Sequence, residues 1–86
     1  MIRFAGMMPS NEVKIEKKFM DEFNTEIIIQ AGEFGWSVLC WADGSAFYKD
    51  ELLDATINFN NAYNMAVNNY GELTEINNED DRMFRV

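Results

Sequence analysis

The sequence predicts an α+β fold: an antiparallel β-meander of three to four strands packed on one long C-terminal amphipathic helix. Three observations carry that expectation. Apolar and polar residues alternate through much of the first half of the chain. Short turn-forming stretches divide that half into segments. From Asp50 to Tyr70 the apolar spacing changes from a period of two to a period of about 3.6.

The segments follow in order. "IRF" at the N-terminus opens as a short strand, and "GMMPSN" reads as a loop because Pro9, Ser10 and Asn11 favour turns. In "NEVKIEKKFMDEF", Val13, Ile15, Phe19 and Phe23 share one parity and the other parity is almost wholly polar, which favours a strand over residues 12–20. The alternative is a helix capped by Ser10. "TEIIIQAG" is short, β-branched and bounded by Asn24 and Gly32, so it reads as a strand. "GWSVLCWA" reads as the next strand after a "GEFG" turn, and "SAFYK" as its returning partner after "DGS". Connections this short join antiparallel neighbours.

Over residues 50–70, Leu52, Thr56, Phe59, Tyr63, Ala66 and Tyr70 fall within one arc at 100° per residue. Asp50 is the expected N-cap and Gly71 the expected C-terminal stop. Phe59 and Tyr63 are expected to anchor this helix on the sheet, the only partner available to it. "NNEDD" (Asn77 to Asp81) is too polar to pack and reads as a loop, with residues 77–86 as a loose tail. The whole is one domain of 86 residues, without repeat or linker.

Much chemistry is missing from this chain. It has no histidine, so the commonest general base, the paired Ser–His and Cys–His nucleophiles and the usual zinc ligand are all absent. No glycine-rich phosphate loop occurs. The one cysteine, Cys40, shares parity with Trp36 and Val38 and has no neighbouring base, so it is expected to be packed and inert. "NNEDD" lacks the spacing, the glycine and the closing glutamate of a calcium loop. No catalytic, cofactor-binding or metal-binding residue is assigned, and the chain is not expected to be an enzyme.

Charge is the strongest compositional signal. Fifteen acidic residues against seven basic ones give a net charge of −8. Such a surface repels nucleic acid and anionic membranes, so the expected partner is a protein, basic in character. Residues 49–81 hold Lys49 against eight acids, net −7, and form the acidic pole. No apolar run approaches the roughly 20 residues of a membrane span. A lone cysteine and no leader-like start favour the cytoplasm.

The candidate partner-binding residues are Glu51, Asp54, Asn58, Asn61 and Met65 on the outer face of the helix, Glu72 and Glu75 after it, and Trp41 on the sheet. Carboxylates and amides around a few apolar anchors suit a protein contact.

In composition (very small, acidic, rich in Asn and Met, without catalytic residues) the chain resembles many phage-encoded accessory proteins. Some of those inhibit host nucleic-acid enzymes by presenting carboxylates where phosphates would bind. The resemblance implies an inhibitor of a basic, nucleic-acid-binding defence protein such as a nuclease, acting by charge mimicry in the host cytoplasm. The alternative is a structural or assembly protein that oligomerises, for instance as a homodimer, through exposed aromatics.

Overall fold

The computed structural model describes residues 12–76. The expected strand at "IRF", the "GMMPSN" loop, the Asn77–Asp81 loop and the tail lie outside these residues. Within them the fold is α+β: an antiparallel sheet against one helix, in the order β1 (Ile15–Met20), β2 (Glu26–Gly32), β3 (Gly35–Cys40), β4 (Ala46–Lys49), α1 (Ala55–Tyr70) and β5 (Thr74–Glu75). The sheet runs β4-β3-β2-β1-β5. The four-stranded meander is as the sequence implies. The fifth strand is an addition, two residues that return beside β1 and pair Thr74 with Met20.

Each turn has a local cause. Between β1 and β2, the Asp21 carboxylate accepts from the backbone N–H groups of Phe23 and Thr25 at 2.9 and 2.8 Å. Asn24 takes the left-handed conformation, φ 64°, which Asn tolerates better than most residues. Between β3 and β4, Asp43 accepts from Ser45 N–H at 2.8 Å, and these bonds to Ser45 hold its carboxyl below the usual range. Gly35, φ 148°, opens β3 where a Cβ would strike the carbonyl of Lys49 on β4, so only glycine fits.

Cross-strand register sorts the side chains. Ile15, Ala31, Trp36 and Lys49 lie in one row across the sheet, and Lys17, Ile29, Val38 and Phe47 in the next. This face meets α1. Its centre is Ile27, Ile29 and Val38, all fully buried. On the opposite face Ile28, Gln30, Ser37 and Leu39 are buried as well, and Ser37 Oγ donates to Gln30 Oε1 at 3.3 Å.

The helix differs from the sequence expectation in start and in rotation. It begins at Ala55, not at Asp50, and spans 16 residues, or about 24 Å. Asp54 is the N-cap, and its Oδ1 accepts from Ile57 N–H at 2.9 Å. Gly71, φ 85°, closes the helix, and its N–H donates to Val67 O. The residues fully buried against the sheet are Asn58, Ala62 and Ala66, spaced by four. Two alanines at the centre let the helix come close to the sheet. Phe59 and Tyr63 therefore sit to one side, half-buried, and pack with tilted rings around Phe19, centroids 6.4 and 5.4 Å from it. They do anchor the helix, but on β1 rather than over the middle of the sheet.

Asn58 is the main correction. The sequence placed it outward because it is polar. The two N–H hydrogens of its side-chain amide are instead shared among three carbonyls, Gly32 O at 2.6 Å, Leu53 O at 3.2 Å and Glu51 O at 3.3 Å. These bonds tie the first turn of α1 to the β2–β3 hairpin and to the segment before the helix. The helical ladder starts just after this segment, with Asn58 N–H donating to Asp54 O at 3.0 Å.

Tyr70, at the last turn of α1, is pushed up to about 12, chiefly by burial and then by the neighbouring Cys40 and Asp43. The folded value exceeds the ordinary 10.0, so the stabilisation is complete below pH 10 and is lost as pH rises toward 12. Tyr70→Phe is therefore expected to flatten the fall in stability over that window, read by urea denaturation at stepped alkaline pH. A fall as steep in the variant as in wild type would assign alkaline unfolding to other groups.

Candidate functional site

The residues expected to bind a partner do not come together. Glu51 and Asp54 lie before the helix at the end of the molecule marked by the β2–β3 hairpin. Trp41 is exposed at the β3–β4 turn, on the opposite end. Glu72 follows the helix at that same far end. Glu75 sits on β5 and pairs with Lys17 at 3.8 Å. Asn61 is exposed in mid-helix, Met65 is partly buried against the core, and Asn58 is fully buried and unavailable. Glu51 is paired with Lys49 at 3.2 Å, and the Asp54 carboxylate serves as a cap.

No carboxylate stands on α1, because Ala55–Tyr70 contains no charged residue. Glu51 and Asp54, expected on the helix, precede it. Cys40 is buried, as its parity implies. Among the described residues no group of three or more His, Cys, Asp or Glu is placed to hold a metal ion, and no helix is long and apolar enough to cross a membrane.

What the structure does bring together is apolar. Leu52 is 79% exposed, Phe34 51%, Ile57 45% and Leu53 38%. Phe34 is at the tip of the β2–β3 hairpin, Leu52 and Leu53 are in the segment before α1, and Ile57 is on its first turn. Phe34, Leu52 and Leu53 join Glu33 and Asp54 around an open groove of about 360 Å³. The backbone explains the exposure. Asn58 fixes the carbonyls of Glu51 and Leu53 inward, and the leucine side chains are left at the surface.

A single exposed leucine needs no explanation, but several large apolar side chains around one groove do. The sequence carried a signal for this site that polarity alone concealed. Leu52 and Leu53 are adjacent, so one helical stripe cannot take both, and Phe34 occupies a two-residue hairpin tip.

The groove is framed by negative charge. Glu33 and Asp54 line it, and Asp50 and Glu51 stand in the segment before α1, where Glu51 is paired with Lys49. Tyr48, on the adjoining strand β4, donates its hydroxyl to Phe34 O at 3.4 Å and supports the hairpin tip. Burial, then Asp50 and Glu12, hold that hydroxyl above its ordinary pKa. The chain matches no family model, no curated protein and no solved structure, so the site is read from its own chemistry.

Proposed function

We propose that the protein is a protein-binding module that docks a basic partner on its apolar end. The observation that carries this is the groove lined by the exposed Phe34, Leu52 and Leu53 with the carboxylates of Glu33 and Asp54, beside the exposed Ile57 on the first turn of α1. Apolar anchors supply affinity when a partner covers them. The surrounding carboxylates select a cationic partner, steer its approach and make binding sensitive to salt. The reading replaces the outer helix face as the contact surface and keeps the expectation of a basic protein partner.

A photo-crosslinking residue at Leu52 tests it, with one at Phe23 as the control. Phe23 is 78% exposed but lies at the opposite end. In cells of the native source, crosslinks to a basic protein are expected from position 52 and not from position 23. Leu52→Ser with Ile57→Ser is expected to weaken that complex by roughly tenfold or more, about 1.4 kcal/mol, without lowering the melting temperature. Equal crosslinking from both ends sinks the proposal. Crosslinks only to a second copy of the chain move the reading to assembly. Duplex DNA as a competitor supports charge mimicry if it displaces the partner, and limits the reading to ordinary docking if it does not.

A further inference from the structure

A second groove runs along the other flank of α1 and lies apart from the apolar end. It has two adjoining parts, of about 620 and 370 Å³, that share Tyr63 and Leu73. The helix contributes Asn60, Asn64 and Asn68 to its rim, and Tyr63, Val67 and Leu73 form its floor.

The three asparagines are spaced by four. They stand in a row that rises about 6 Å per step on one side of the helix. All three are exposed. Among the described residues none of their side chains makes a hydrogen bond, whereas Asn69 donates to Met65 O at 2.8 Å. Asn is a mediocre helix former, and no contact within the described fold accounts for this row.

A carboxamide carries donor hydrogens on nitrogen and an acceptor oxygen, so it can pair with both the N–H and the C=O of a peptide unit. An extended chain presents its N–H and C=O groups to one side every second residue, about 6.6–6.8 Å apart. The asparagine row repeats within about 1 Å of that distance. We infer that this groove binds an extended peptide, its backbone read by Asn60, Asn64 and Asn68 and its alternate apolar side chains set on Tyr63, Val67 and Leu73.

Charge completes the description of the ligand. Lys17 in the groove is already engaged, paired with Glu75 and placed 5.6 Å from the centre of the Phe59 ring. Glu72 borders the opposite part and has no ion pair among the described residues. The fitting peptide is therefore extended, alternately apolar, and basic near the Glu72 end. Backbone reading makes it tolerant of sequence at the outward positions, as in other strand-like recognition.

The probe is an eight-residue peptide alternating leucine and threonine with a lysine at each end, titrated into ¹⁵N-labelled protein. The side-chain amide signals of Asn60, Asn64 and Asn68 are expected to shift together. The triple variant Asn60→Ala, Asn64→Ala, Asn68→Ala improves helix propensity and so stays folded. It is expected to bind roughly tenfold more weakly or worse, about 1.4 kcal/mol. The same peptide N-methylated at alternate amides is expected not to bind.

Equal binding by the triple variant, or no shift at millimolar peptide, overturns the inference. Shifts confined to Leu52, Leu53 and Ile57 also overturn it, since they place the peptide on the apolar end. Leu52→Ser with Ile57→Ser is expected to leave peptide binding unchanged, so the two surfaces stand or fall separately.

Discussion

Asn58→Ala is expected to destabilise the fold on the order of 3 kcal/mol, because it strips the donor from the buried Gly32 carbonyl, at roughly 1–3 kcal/mol, and from two part-buried carbonyls besides. The amide serves Gly32, Glu51 and Leu53. Part of the loss is offset, since Oδ1 of Asn58 is itself buried without a protein partner among the described residues. Asn58→Asp is expected to be worse, because it turns carboxylate oxygens toward three carbonyls. The measurement is urea unfolding followed by tryptophan fluorescence. A midpoint unchanged in the alanine variant would mean that the three carbonyls find other donors and that Asn58 does not fix the segment before the helix.

The other large effect is expected at Ile29. It is fully buried on the middle strand of the sheet, beneath α1 and between Lys17 on β1 and Val38 on β3. Ile29→Ala removes three carbons from a site with neighbours on every side, for a loss of about 2–5 kcal/mol. A domain of this size has little more than that in total, so the variant is expected to be largely unfolded at physiological temperature. The lower figure applies if Ala62 and Ala66 follow the helix inward, the higher if they do not. A shift of melting temperature within error would show that Ile29 lies at an edge of the packing and not at its centre.

The strands were legible because tight turns and parity are local properties. Asp21, Asn24, Gly35 and Gly44 mark the hairpins, and the alternation of Ile15, Lys17 and Phe19 with Glu16 and Lys18 marks the register. The helix was legible as an element but not in its phase. The periodic arc centres on Phe59, Tyr63 and Ala66 and includes Leu52 and Thr56, whereas the sheet takes Asn58, Ala62 and Ala66 at the closest approach and leaves Leu52 and Thr56 exposed.

Asn58 could not be read at all from polarity. Its place depends on carbonyls supplied by Gly32, far away in the chain, and by a segment expected to be helical. The strand β5 is too short for any pattern to announce it. The apolar end was missed for a related reason. Leu52 was assigned to the buried stripe, and it is the rotation and late start of α1 that leave it outside.

The order of the strands has a kinetic consequence. Each of β1 to β4 pairs with its neighbour in sequence, so the meander closes through three short hairpins that form one upon another at little entropic cost. Only α1 and β5 depend on distant partners, and β5 must bring Thr74 back to Met20 at the opposite end of the chain's path. A small mixed fold of this kind folds at intermediate speed, slower than helical bundles and faster than sandwiches. The two-residue β5, held to β1 only through Phe19–Glu75 and Met20–Thr74, is expected to exchange its amides ahead of the meander, as read by native-state hydrogen exchange.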